Sequence, residues 1–411
     1  MNIDRSYDKR YRVLLTGGRA PVALDLARQL SASGHDVFMA ESCPCHLCIR
    51  SNAIVKNYTV PKPNENPDAY VLKLEEIIDE ENIDWLIPTC EEIFYVARGL
   101  QVLSNKCRVF VDSYDKLKRL HSKWDFMTAV TEAGLPHAPA TYLLQDKKDV
   151  EEILSARGKW VFKRVYSRFS SNVIIVNNEN NHIIPKQMTR EKILSLLCND
   201  LQSKSDESLW VAQQFISGKS YCSYSVVING QMTAHAVYPV EFTAGPGACV
   251  NFQTVDHPDI YNWVKRFVEF EDFTGQIAFD FIVTDGGDVY PIECNPRTTS
   301  GIHLFKEEDC LDQAFFQTHY KGAIQPNVKT KAMLAPAMLS YGLFQIRSLS
   351  LAWKWLKLFI QSKEVIFRMR DPLPFFQQFS LLWWSIKLSR QKKVSVMEAT
   401  TLDIEWNGEK E

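Results

Sequence analysis

The residue types and spacing best suited to chemistry fall in Phe279-Asp280 and, after a turn at Asp285-Gly286-Gly287, in Glu293-Cys294-Asn295-Pro296-Arg297. Short apolar runs joined by such a turn predict a β-hairpin on which Asp280 and Glu293 face each other. Asn295 lies two residues past Glu293 and shares its face if the strand continues, whereas Cys294 points the other way, into the core. Two carboxylates and an amide oxygen form a hard-oxygen set of the kind that holds Mg²⁺. Arg297 adds a planar fork for a phosphate or carboxylate. An ordinary hairpin with polar residues at its mouth would read the same way, and spacing alone leaves both open.

The elements that must carry this hairpin come in two styles. Up to about residue 112, apolar strands (Tyr11–Thr16, Asp36–Ala40, Asp84–Ile87, Arg108–Val111) alternate with helical patterns opening at Pro21, over Val71–Glu80 and over Glu92–Leu103. That alternation predicts a parallel sheet covered by helices on both faces. Beyond a helix around Lys116–Gly134 come strands at Trp160–Lys163 and Val173–Val176, then a helix near Thr189–Leu201. Strands then follow closely at Leu209–Gln213, Tyr221–Ile228, Met232–Tyr238, Gln276–Val283 and Val289–Glu293, which is α+β order with an antiparallel sheet. The expected units are an α/β domain over 1–112, two α+β lobes over 113–205 and 206–325, and a basic, Trp-rich helical region over 326–411.

Composition narrows the class. A chain of 411 residues buries a sizeable core. Its 47 Lys+Arg balance 49 Asp+Glu, so it lacks the broad basic field of a protein that coats nucleic acid. No run reaches the length of a membrane span, and the opening MNIDRSYDKRYR has no apolar signal core. Ten scattered cysteines then point to reduced thiols and a cytoplasmic location.

The run Gln276–Arg297 resembles the metal-binding hairpin of the ATP-grasp superfamily, whose signature ends in Glu-x-Asn-Pro-Arg, and the likeness extends over about Arg12–Leu304. Within that superfamily the long N-terminal domain and the segment Pro88-Thr89-Cys90-Glu91-Glu92 are most similar to carbamoyl-phosphate-synthase-like carboxylate ligases. The resemblance implies ATP and Mg²⁺ (or Mn²⁺) as cofactors, with Asp280, Glu293 and Asn295 on the metal and Lys123 and Lys163 on the nucleotide. It implies that Arg297 and Lys163 take part in catalysis, and that Phe215 and Ile216 meet the adenine edge. Gln213 and Ser220 stand where family enzymes place acidic residues, and the phosphate-covering loop Tyr166–Asn172 offers Ser170 and Ser171 in place of glycines. The implied reaction joins a small-molecule carboxylate to an amine, or less often a thiol, through an acyl phosphate. Ser300 and His303 would line the acyl-phosphate pocket, and Thr243–Ala248 would be a lid. Glu91 or Glu92 would hold the amine, although acids at a helix start also serve the helix dipole. A nucleotide-binding protein without turnover, docked to a membrane or a partner, is the alternative from another class.

Three features stand outside that likeness. Gly17-Gly18 with Glu41 at the next strand end suggests a nicotinamide site, but the run GGRAPVA lacks the full G-x-G-x-x-G. Cys43, Cys45, His46 and Cys48 sit too close in sequence to surround one tetrahedral Zn²⁺ readily. The stretch Lys331–Lys393 has Glu364 and Asp371 as its only acids, and carries Trp353, Trp355, Trp383 and Trp384. Its two basic amphipathic helices, broken at Asp371-Pro372-Leu373-Pro374, would either meet a membrane surface or pack on the catalytic lobe or on a second subunit of a homo-oligomer.

Overall fold

In the computed structural model, residues 9–167, 173–180, 182–203, 205–245, 247–317 and 322–408 are described. Strands β1 (Arg12–Thr16), β2 (Asp36–Glu41), β3 (Lys56–Thr59), β4 (Trp85–Ile87) and β5 (Arg108–Val109) form a parallel sheet in the order β3-β2-β1-β4-β5. Both its faces are covered. Leu14, Phe38 and Leu86 join one hydrophobic core with the helix Pro67–Glu81, and the alternate residues Val13, Leu15, Val37 and Met39 join another with the helix Pro21–Ala32. The chain leaves β1 to one side and β4 to the other, so the switch point at which such sheets place ligands lies beyond the strand ends at Thr16 and Ile87.

The expected long helices are interrupted for identifiable reasons. The pattern Glu92–Leu103 becomes two helices, Ile93–Arg98 and Leu100–Leu103, meeting at Gly99. There a Cβ would lie 2.6 Å from Val71, so glycine permits the close approach of the neighbouring helix. The pattern Lys116–Gly134 divides at Ser122, which is extended and accepts a hydrogen bond from Asp125 N–H (3.1 Å). Ser122 thereby caps a new helix, Lys123–Glu132, and puts Lys123 at its first position.

Two antiparallel sheets follow. The first contains β6 (Thr141–Leu144), β7 (Lys159–Arg164), β8 (Ile174–Asn177), β9 (His182–Ile184) and β10 (Trp210–Gln214) in the order β6-β10-β7-β8-β9. The second contains β11 (Lys219–Ile228), β12 (Gln231–Pro239), the strand Gly275–Val283 and the strand Val289–Asn295, in the order β12, β11, 275–283, 289–295. The last two strands are the hairpin anticipated from the sequence. Cys294 faces inward from it into the core.

The C-terminal region packs on the body of the molecule, and on the N-terminal domain as much as on the lobes. Arg28 is buried against Asp371 (2.8 Å), and Asp371 also accepts from Ser51 Oγ and Asn52 N–H. Trp406 stacks on Phe94 with ring centroids 4.5 Å apart and fills the space between Tyr114, His121 and Tyr166. The helices Leu349–Gln361 and Leu373–Lys392 each bury one narrow side and leave Trp353, Ile360, Phe376 and Trp383 exposed. Among the described residues no helix is long and apolar enough to cross a membrane.

Candidate active site

The hairpin pairs Asp280 directly with Glu293 and Ala278 with Asn295. The register slips after Asp280, because Phe281 pairs with Pro291, and Ile292 becomes the extra residue of a bulge. Its freed carbonyl accepts a hydrogen bond from Lys163 Nζ at 2.9 Å. On the other side of the strand Asp280 is paired with Cys222, whose thiol bonds to it.

The two anticipated lysines arrive from different elements. Lys163 is buried near the end of β7 and also donates to Gln213 Oε1 at 2.8 Å. Lys123, equally buried, donates to Ser167 O at 3.2 Å and lies 3.8 Å from Glu293 Oε1. With Asp280, Glu293, Asn295, Arg297 and Ser300 they line one cleft of about 210 Å³.

The charges in this cleft are poorly compensated. Burial, aided by Lys123, lowers the Lys163 ammonium to about 8 against the pull of Glu293 and Asp280. Burial and the neighbouring Glu293 push the Asp280 carboxyl up to about 6, although Cys222, Arg297 and Lys163 oppose the shift. Two carboxylates pressed together beside an amide oxygen fit a divalent cation, which would remove their repulsion. Asn295 Oδ1 accepts from Arg297 Nη2 at 3.2 Å, so the fork and the oxygen set are held as one unit.

The remaining anticipated residues divide. Ser300 is in the cleft. His303 is not: it is buried against Asp25 (Nδ1 to Oδ2 2.9 Å), on the side where Arg368 also reaches Asp25. Glu92 turns inward to accept from Thr16 Oγ1 (2.7 Å) and from Thr89 and Cys90 N–H (3.1 and 2.9 Å), and makes no cap bond to the helix Ile93–Arg98 that follows it. Glu91 is fully buried and does not line the cleft; it lies 3.7 Å from Arg297 Nε and accepts from Trp406 N–H. In the linker, Phe215 N–H is spent on Lys159 O, while Ser220 sits in β11 opposite Ile282. The loop serines Ser170 and Ser171 lie outside the described residues. Part of the expected lid, Gly247 and Ala248, does line the cleft.

The glycine pair after β1 has a packing role. A Cβ on Gly17 would lie 2.5 Å from Thr89 Oγ1, and one on Gly18 would meet His46 and Met39. Glu41, the acid that a nicotinamide ribose would need, is taken by the Arg19 guanidinium and backbone N–H (3.0 Å). Sequence reasoning missed Cys222, Tyr238 and Cys249 on the cleft wall, and the Arg19–Glu41–Asp403 cluster. Only alternation along β11 and β12 hinted at Cys222 and Tyr238, and nothing local hinted at Cys249 or at the Arg19 cluster.

The family model for the ATP-grasp domain matches residues 120–301. No curated protein sequence matches the chain. Among solved structures, N5-carboxyaminoimidazole synthetase from Staphylococcus aureus complexed with ADP superposes with a TM-score of 0.61 at 14% identity, over 80% of this chain and 83% of that one. L-amino acid ligase from Bacillus licheniformis gives 0.57 at 14% identity, over 79% of each. The biotin carboxylase–β-γ-ATP complex from Campylobacter jejuni gives 0.56 at 13%, over 76% and 73%. Identities this low establish a shared fold.

Proposed function

From the premise that residues 120–301 form an ATP-grasp domain, we propose that the protein is an ATP-dependent ligase that joins a carboxylate to an amine. The observation that carries this reading is the convergence of Lys123, Lys163, Asp280, Glu293, Asn295 and Arg297 on one cleft from a helix, β7 and the two strands of the hairpin with its end. Lys123 and Lys163 would hold the nucleotide phosphates, whose charge would add to that of Glu293 beside these buried ammoniums. Asp280, Glu293 and Asn295 would hold Mg²⁺ or Mn²⁺, which when bound neutralises phosphate oxygens.

A substrate carboxylate oxygen attacks the γ-phosphorus, the bond to the leaving oxygen breaks, and ADP departs, leaving an acyl phosphate. Arg297 is placed to stabilise charge on the transferring group, since its Nη2 already bonds to Asn295 beside the phosphate site. The amine nitrogen then attacks the acyl carbon, phosphate leaves and the nitrogen gives up a proton. Neither Glu91, buried against Arg297 and Trp406 N–H, nor Glu92, committed to Thr16, Thr89 and Cys90, lines the cleft where that amine would arrive. The chain itself contributes position and charge and forms no covalent bond to substrate.

The test is ADP release by the purified protein with ATP and Mg²⁺ over a panel of carboxylic acids, each with and without amines. Release that needs both acid and amine is the expected result. ATP binding with no release over the whole panel would move the assignment to a nucleotide-binding protein without turnover. Release needing bicarbonate or a thiol in place of the amine would move it to carboxyl or thioester transfer on the same scaffold.

A further inference from the structure

We infer that the carboxylate substrate carries an apolar chain, held in a cavity between the N-terminal domain and the C-terminal region; the inference rests on the ligase reading for the identity of the head group. The cavity measures about 470 Å³ and is walled by Pro21, Val22, Leu334, Ile366, Leu381 and Ile404. It adjoins the reaction cleft, because Arg297, Thr299 and Ser300 line both.

The polar groups on its walls are sorted by position. Those contributed by the C-terminal region are spent locally: Thr400 Oγ1 donates to Met397 O, Thr401 Oγ1 to Glu398 O, and Gln378 Nε2 to Phe375 O. Arg19 is consumed by Glu41, Asp403, Ser42 and the Thr400 carbonyl. At the shared wall the order reverses. The buried Thr298 and Thr299 hydroxyls have no hydrogen-bond partner among the described residues, and they flank Arg297, whose guanidinium reaches Thr298 O and Asn295 Oδ1.

A ligand with a second charge, such as a phosphorylated sugar or a dicarboxylate, would bury that charge where, among the described lining residues, the cation other than Arg297, Arg19, is already paired. An aliphatic or aromatic chain gains on the same wall. The arrangement therefore selects an amphiphilic monocarboxylate, with its head at Arg297, Thr298 and Thr299 and its chain toward Leu381 and Ile404.

The experiment titrates straight-chain monocarboxylic acids from acetate to dodecanoate into the full-length protein by calorimetry, and measures ADP release with the same acids plus amines. Affinity is expected to rise roughly threefold to fourfold per methylene until the cavity is full. Leu381→Trp and Ala337→Phe each fill it from a different lining element. Either should weaken binding of the best acid at least tenfold, with ATP binding retained as the check on folding. Affinity that ignores chain length, or rises equally in both filled variants, overturns the inference. ADP release with short polar acids alone also overturns it and leaves the ligase standing. Chain-dependent binding without ADP release supports the cavity assignment and removes the ligase.

Discussion

Two of the buried clusters of mixed charge in the molecule behave in opposite ways. In one, Arg19 sits between Glu41 and Asp403; both carboxyls are held below their ordinary range by the guanidinium, and the guanidinium is raised by them. Every charge there has partners within the chain, and the ionised forms win over the cost of burial. In the other, Lys163 drifts down to about 8 and Asp280 up to about 6, each toward its neutral form. The lysines lie beside one another and beside carboxylates that repel each other, so partners are incomplete. A cluster satisfied from within is a clasp, here between the N-terminal domain and the chain's end. A cluster that leans toward neutrality is built for a ligand that brings the missing charge.

The contrast can be broken by mutation, most strongly at the clasp. Arg19→Met strands two buried carboxylates and should cost about 3–5 kcal/mol in urea denaturation; a loss near zero would show that the cluster holds nothing. In the cleft, Asp280→Ala should lower ADP release by about a hundredfold to a thousandfold with no drop in the urea midpoint. Wild-type turnover in that variant would remove Asp280 from the metal site. Smaller and opposite in sign, Asp280→Asn should leave the free protein as stable as wild type or more so, by up to about 2 kcal/mol at neutral pH, because the ionised form there is disfavoured. Clear destabilisation would mean that the cleft is a clasp too.

The subtlest test is pH. Lys163 with its lowered value gives up its proton as pH rises through about 8. The kcat/KM for ATP should therefore fall about tenfold per pH unit above that point, and the decline should vanish in Lys163→Met. A break only near the ordinary lysine value would show that the cleft does not perturb this group.

The hairpin was legible in the sequence because its logic is local. Turn residues fix the pairing, period-two alternation fixes the faces, and so Asp280, Glu293 and Cys294 could be oriented from spacing. Lys163 could be placed on a strand for the same reason. The polar edge strand Lys56–Thr59 escaped notice because KNYT carries no apolar alternation, and the break at Ser122 because its capping role depends on where the chain turns. His303 shows the limit of reasoning by proximity in sequence. Six residues past Arg297, it follows a 3₁₀ turn away from the cleft and meets Asp25.

What the sequence by itself determined is the order of the elements and the chemistry gathered on the hairpin, since both follow from nearest-neighbour sterics and hydrophobic period. What only the tertiary structure decided is which charges find partners. Asp403 and Arg19 are separated by 384 residues, and Trp406 meets Glu91 across 315. Charge compensation and cavity walls depend on distances in space between segments remote in the chain, and no local pattern encodes those distances.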